Sequence, residues 1–383
     1  MPDNLQQISI YVHIPFCVKK CRYCDFYSNA YNQTIADDFI SALFTEWEMV
    51  KRKYSLEGIP VSTIYFGGGT PSILDIAQWK RIVENFMKRL PLTDGYEWSI
   101  ECNPESFSPQ TARFWLDSGV TRLTFGIQSL NDMELATLGR SHDSTTALAA
   151  LCDPVIAKFF SIGADIMFGP PMQTVASLDM TLSGILSIPT IKHLSAYELT
   201  IAEATPFGRL REKLPLPDDD ICAEMTQLVK LKTCNAGFKQ YEVSNYSKPG
   251  FRCRHNEAYW RHKPYIGLGP AAHSFIQPYR FSNVKNTREY IARLKEEKLP
   301  VDFTETIDAA ALSREMIFLG LRTTDGINED DFYLKTGFGF DLPERRPALE
   351  KFKSLNMLEY SPPYWRLNEK GLNFADAVAR DLM

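Results

Sequence analysis

Ile8-Ser9-Ile10-Tyr11-Val12-His13-Ile14 runs directly into Pro15-Phe16-Cys17-Val18-Lys19-Lys20-Cys21-Arg22-Tyr23-Cys24. The first seven residues are mostly β-branched or aromatic and read as a buried strand. The segment after it sets Cys17, Cys21 and Cys24 in the spacing C-x3-C-x2-C at the strand's carboxyl end. The chain has eight cysteines in 383 residues, so chance would place only about 0.2 cysteine in so short a window. Three thiolates can hold three irons of a [4Fe–4S] cube and leave the fourth iron open. A closed electron-transfer cluster or a structural zinc usually takes four protein ligands. Lys19, Lys20 and Arg22 favour thiolates and offset cluster charge. Two plainer readings stand beside this one. Positions i, i+4 and i+7 also share a helix face, as buried cysteines would, although Pro15, Phe16 and Tyr23 make a plain amphipathic helix less attractive. A zinc site would need a fourth ligand that the sequence does not display.

Outward from this stretch, short apolar runs alternate with helical patterns. Strands are expected at Ile8–Ile14, Thr63–Phe66, Tyr96–Glu101, Arg122–Ile127, Phe159–Met167 and His193–Leu199. Helices are expected near Ile35–Arg52, Ile76–Arg89, Pro109–Ser118, Thr145–Lys158 and Val175–Leu186. Such alternation predicts an α/β fold with a parallel sheet. Six βα units without a clear seventh and eighth predict a partial (β/α)6 barrel, followed by a smaller, mainly helical C-terminal domain. The expected divisions are 1–245 for the barrel, 246–300 for a connecting segment and 301–383 for the last domain, with two or three helices and an apolar turn near Tyr364–Leu367. Active groups of such barrels gather at the carboxyl ends of the strands. Here those ends carry the cysteines, Gly67-Gly68-Gly69-Thr70-Pro71, Glu101 and Gln128, while Asp165 lies on the fifth strand.

At 44% hydrophobic and 23% charged residues, the composition excludes a disordered chain, a collagen-like repeat and a disulfide miniprotein. The net charge of −5 offers no global field for nucleic acid. The N-terminus lacks the pattern of a secretory signal and no apolar run is long enough to span a bilayer, so the expected setting is the cytoplasm, without membrane insertion. There, clustered cysteines are metal ligands or redox groups more often than disulfides.

Tyr11-Val12-His13-Ile14-Pro15-Phe16-Cys17, the cysteine triplet and Gly67-Gly68-Gly69-Thr70-Pro71 together resemble the radical S-adenosylmethionine superfamily. Within it they are most similar to the oxygen-independent coproporphyrinogen III oxidases and their haem-chaperone relatives, the HemW proteins. The resemblance continues through Glu101-Cys102-Asn103-Pro104, Phe125-Gly126-Ile127-Gln128-Ser129, Gly163-Ala164-Asp165-Ile166-Met167-Phe168-Gly169 and Leu367-Asn368-Glu369-Lys370-Gly371. It implies a radical-SAM barrel, a [4Fe–4S] cluster on Cys17, Cys21 and Cys24, and S-adenosylmethionine on the open iron. It also implies cofactor contacts from Tyr11, Tyr23, Gly68, Gly69, Thr70, Glu101, Gln128, Arg140 and Asp165. The roles are chemically sensible: Arg140 for the methionine carboxylate, Glu101 for the ammonium or sulfonium, Asp165 and Gln128 for ribose hydroxyls, and the glycines for close backbone approach.

His255-Asn256-Glu257-Ala258-Tyr259-Trp260 matches the His-Asn-x-x-Tyr-Trp signature of the haem-chaperone relatives. His255 is therefore a candidate axial ligand for haem, with Asn256, Tyr259 and Trp260 around it, Cys253 as an alternative thiolate and His273 as a spare. The plainer reading makes His255 a satisfied interior residue. Cys102, Cys152, Cys222 and Cys234 are expected to be small buried hydrophobes, and Phe39, Trp47, Trp79 and Phe86 to be core. Two functions remain. One is a haem chaperone that carries haem as cargo to an acceptor protein. The other is a coproporphyrinogen III oxidase producing protoporphyrinogen IX. Phe26, where the oxidases carry a further cysteine, and the short arm before Tyr11 favour the chaperone.

Overall fold

Along the first strand, Ile8, Ile10, Val12 and Ile14 are buried on one face, while Ser9, Tyr11 and His13 share the other. The computed structural model, which describes residues 5–383, extends this two-faced pattern around a partial barrel. Six parallel strands lie side by side in chain order: β1 (Ile8–Ile14), β2 (Val61–Gly68), β3 (Leu92–Cys102), β4 (Arg122–Gln128), β5 (Ser161–Phe168) and β6 (Ile191–Glu198). Six helices fall between them: α1 (Gln33–Lys53), α2 (Ile76–Asn85), α3 (Pro109–Asp117), α4 (Asp132–Leu138), α5 (Ser144–Leu151) and α6 (Val175–Leu186). Each crossover returns the chain to a parallel neighbour and buries the outer apolar face of the sheet. Phe39, Trp47, Trp79 and Phe86 belong to this core, as expected.

The expected helix over 145–158 stops at Leu151, because Pro154 cannot continue it. Helix α4 was not expected, although its signals were present: Asn131 caps the start and Gly139 closes the end in the left-handed conformation. The stretch 246–300, expected as a connector, is built into the main sheet. After α7 (Asp219–Asn235), β7 (Lys239–Gln240) and β8 (Asn245–Ser247) extend one edge, β8 antiparallel to β6 and β7 antiparallel to β8. Helix α8 (Arg254–Trp260) then leads to β9 (Tyr265–Leu268), which pairs parallel to the free side of β1. The sheet therefore has seven adjacent parallel strands. A meander of β10 (His273–Ile276), β11 (Tyr279–Asn283) and β12 (Val301–Thr306) continues it, with α9 (Thr287–Lys295) inserted. Strands of four or five residues are too short for periodicity to reveal.

A second core gathers residues from Ile307 to Leu382 together with Phe275 of β10. It unites α10 (Ala309–Gly320), α11 (Glu329–Thr336), α12 (Arg346–Ser354) and α13 (Ala375–Leu382) with a small sheet of β13 (Ile327–Asn328), β14 (Leu358–Ser361) and β15 (Tyr364–Leu367). The apolar turn expected near Tyr364 is the hairpin β14–β15, and the domain has more helices than the two or three expected.

A buried carboxylate fastens the late strands to the first helix. Glu46 of α1 accepts from the Gly269 amide at 2.8 Å, from the Asn283 side-chain amide and from the Tyr290 hydroxyl. Burial pushes its carboxyl up to about 7 despite those three donors. Glu46→Ala would strand all three donors, so unfolding free energy should fall by about 3 kcal/mol in urea titrations. A loss below about 1 kcal/mol would show that the seam does not depend on this residue.

Candidate cofactor site

The cysteine-bearing loop is fixed from several sides. Phe16–Cys17 pairs in parallel with Asn29–Ala30. The Gly69 amide donates to the Ile14 carbonyl at 2.8 Å, the Thr70 amide to Phe16 at 2.7 Å and the Arg22 amide to Leu138 at 3.0 Å. A Cβ on Gly69 would stand 2.5 Å from the Phe16 carbonyl oxygen and 2.7 Å from that of Ile14. Gly68 has φ +102°, and a Cβ there would run into the His13 ring. The glycine turn therefore lets two loops approach more closely than any side chain allows.

Between these loops and the carboxyl ends of the strands lies a cavity of about 380 Å³. All three clustered cysteines line it, each half-buried. Eight of the nine residues expected to contact the nucleoside line it as well: Tyr23, Gly68, Gly69, Thr70, Glu101, Gln128, Arg140 and Asp165. Tyr11 does not. It lies deeper in the barrel, where its hydroxyl meets His13 Nδ1 at 3.1 Å. Gln128 reaches the cavity through a register shift in β4 and a left-handed backbone, φ +67°. Such local strain is characteristic of residues aimed at a functional site.

Arg140 ties the parts together. Its Nη2 donates to Asn103 Oδ1 at 2.8 Å and to the Gly126 carbonyl at 2.9 Å, and its Nη1 lies 3.5 Å from Cys21 Sγ. Burial works against its charge, but Tyr23, Cys21 and Glu105 outweigh burial and hold it protonated. Thr70 Oγ1 stands 3.6 Å from Cys17 Sγ. Burial pushes the Cys24 thiol up to about 11, so metal loading must release a proton there.

Opposite the thiols are two acids. Burial first, and then the charge of Asp165, push Glu101 up to about 7, against hydrogen bonds from the Tyr65 hydroxyl (2.9 Å) and the Gly68 amide (3.2 Å). Burial raises Asp165 to about 6, and its Oδ1 is buried with no partner among the described residues. Together with the glycine cradle, that orphaned oxygen fits a cationic, hydroxyl-bearing ligand. Among the described residues no three His, Cys, Asp or Glu side chains converge as ligands of a single ion would. The three cysteines line one cavity together, and a cubane would take one sulfur on each of three irons.

The sequence reading missed Asn103, Met167 and Tyr197, which also line the cavity. Asn103 lay within a quoted motif, and Tyr197 sits at the carboxyl end of β6, so strand-end position was the available signal.

The second motif divides. The carboxylate of Glu97 caps α8, accepting from the amides of His255 at 3.0 Å and Arg254 at 3.1 Å, and it pairs with buried Arg122 at 3.6 Å. This docking turns His255 into the barrel. Its Nδ1 meets Thr63 Oγ1 at 2.8 Å, its Nε2 meets the Tyr259 hydroxyl at 3.0 Å, and its ring stacks on Tyr65 at 5.1 Å. Burial lowers its pKa to about 3. Both ring nitrogens are engaged inside the protein, so His255 presents neither to an external iron. Asn256 is half-buried, Trp260 turns toward a separate cleft, and His273 is exposed at the start of β10. Of Cys102, Cys152, Cys222 and Cys234 only Cys102 is buried as expected, and Cys253, the alternative thiolate, is buried too. Cys152 and Cys234 are exposed and Cys222 is half-buried, because they sit on helix surfaces or ends rather than inner faces.

Replacing Cys17, Cys21 or Cys24 singly with alanine should strip iron and sulfide from anaerobically reconstituted protein, whereas Cys152→Ala should leave both unchanged. Because Glu101 and Asp165 titrate above their ordinary values, the folded apoprotein binds protons more tightly than the unfolded chain. Their contribution to stability is lost as pH rises toward 7. Glu101→Gln should accordingly gain thermal stability relative to the parent between about pH 5 and about pH 8. A pH-independent difference in melting temperature would contradict this.

Residues 11–182 match the Radical SAM superfamily and residues 307–374 the HemN C-terminal domain. The chain is 33% identical over 383 residues to the heme chaperone HemW of Mycobacterium tuberculosis, covering 99% of this chain and 95% of that one. It is 31% identical to HemW of Escherichia coli, covering 98% of both. The E. coli coproporphyrinogen III oxidase HemN, a radical SAM enzyme, superposes with a TM-score of 0.85 at 20% identity, over 98% of this chain and 90% of that one, a likeness of fold. Such a domain implies S-adenosylmethionine and a [4Fe–4S] cluster, and no helix among the described residues is long and apolar enough to cross a membrane. The chain belongs to the HemW family of the radical SAM superfamily.

Proposed function

We propose that this protein is a haem chaperone that binds haem and passes it to an acceptor protein, using a cluster-bearing radical SAM barrel as its body. The observation that carries this reading is full-length likeness, above 30% identity, to proteins named heme chaperones from distant bacteria. Phe26 supports it. This exposed side chain lines the mouth of the cavity at the position where the oxidases carry an additional cysteine.

In this reading Cys17, Cys21 and Cys24 hold the cluster, and Arg140 screens the sulfur of Cys21. Gly68 and Gly69 admit the methionine end of the nucleoside to the backbone, with the guanidinium of Arg140 facing its carboxylate. Glu101 attracts the ammonium or sulfonium, while Asp165 and Gln128 take ribose hydroxyls. Cluster and nucleoside together supply reductive cleavage of the sulfonium bond. The chain's own part is to exclude water and hold both groups in register.

Anaerobic reconstitution followed by two parallel measurements tests the proposal. Saturable haem uptake at about one per chain, with no decarboxylation of coproporphyrinogen III, is expected. Decarboxylation at catalytic turnover would establish the oxidase instead.

A further inference from the structure

The end of α8 faces a cleft of about 510 Å³ against α10 and α11, a size suited to a small-molecule ligand. Trp260 supplies an aromatic wall, and its Nε1 is buried without a partner among the described residues. Met316, Ile327 and Tyr364 add apolar surface. All but one of the lysines and arginines that line it are paired. Arg261, Lys263, Lys335 and Arg366 line the cleft against the acids Asp325 and Asp331. Arg252 and Arg261 both engage Asp325 and Glu257, Lys335 engages Asp331, and Arg366 engages Glu359. Lys263 has no carboxylate partner among the described residues. Its side chain reaches solvent, and partial burial followed by the like charges of Arg261 and Lys335 lowers its pKa.

The backbone holds that cation in place. His262 closes α8 in the left-handed conformation, φ +50°, where glycine is the usual residue. Its amide donates to Tyr259 at 3.0 Å and the Lys263 amide to Ala258 at 2.9 Å. The His262 ring is pinned through Nε2 to Glu315 at 2.8 Å and packs edge-on against Phe275, with 4.3 Å between ring centroids. Glu315 is also bound by Arg280. A side chain kept at this strained position, and clamped there, gives Lys263 a fixed point of departure.

We propose that this cleft seats a flat aromatic carboxylate of the tetrapyrrole class, with its ring against Trp260 and a propionate on Lys263. The inference rests on the chaperone reading and locates its cargo apart from the cofactor cavity and apart from His255. Recognition through ring and carboxylates does not depend on the central metal.

Anaerobically reconstituted protein would be titrated with haemin, metal-free protoporphyrin IX and protoporphyrin IX dimethyl ester while tryptophan fluorescence is followed. Haemin and the free porphyrin should bind alike and the diester about tenfold more weakly. Lys263→Glu should lose about tenfold for the diacids only. Trp260→Phe should remove the largest single share of the quenching, and Lys80→Glu, remote on α2, should change nothing. If Lys263→Glu fails to retain its cluster absorbance, Lys263→Ala carries the same test with a smaller loss. Tight haem binding that ignores the ester, Lys263 and Trp260 would overturn the cleft and leave the chaperone reading intact. Absence of binding by the parent protein to all three would overturn both.

Discussion

A barrel interior lined with ionisable groups cannot stand empty, and most of this architecture answers that constraint. The inner faces of β3 to β6 carry Glu97, Arg122 and His193, which are buried, and Glu101 and Asp165, which line the cofactor cavity. Each buried charge needs a partner or must give up its charge. In the lower half the protein answers from its own chain. Glu97 and Arg122 pair, Glu97 caps α8, and α8 inserts His255 and Tyr259 between Thr63 and Tyr65. In the upper half it does not. Asp165 keeps an orphaned oxygen and Glu101 is held toward neutrality. Both of these carboxylates line the cofactor cavity, where a ligand can supply what the chain does not.

That division explains why one motif can serve two purposes. His255 and Tyr259, four residues apart, share the face of α8 that plugs the barrel, whereas Trp260 is turned about 100° away. A signature read as one haem-binding unit is therefore two: an interior hydrogen-bonded pair and an outward aromatic. The burial of His255 is a stability device, since its imidazole serves two hydroxyls that would otherwise lie dry and unpaired.

Much of the barrel was legible because its signals are local. β1 begins and ends at the expected residues, and α6 does likewise. The cofactor residues were legible because six successive strand ends converge on one rim, a rule of topology rather than of any single residue. The rest depended on contacts that sequence does not display. β9 has four residues and acquires its role only by lying against β1, more than 250 positions earlier. Tyr11 shares a strand with the cysteine loop yet points into the lower layer, because its place is set by stacking near Tyr65 and His255. Sequence left His255 open between an iron ligand and an interior residue, because nothing local announces that a glutamate on β3 will draw its helix inside.

The late pairing of β9 with β1 has a consequence for how the chain is made. During synthesis β1 emerges with one edge uncovered, and its permanent neighbour leaves the ribosome only after some two-thirds of the polypeptide has appeared. Until then the nascent barrel carries an unsatisfied ladder beside three reactive sulfurs, a template for mispairing and oxidation. The Glu46 latch engages later still, once Tyr290 is available. Maturation of such a protein is thus ordered from within: the polypeptide closes its wall last, and the inorganic passenger at its rim is safest when it arrives after that closure.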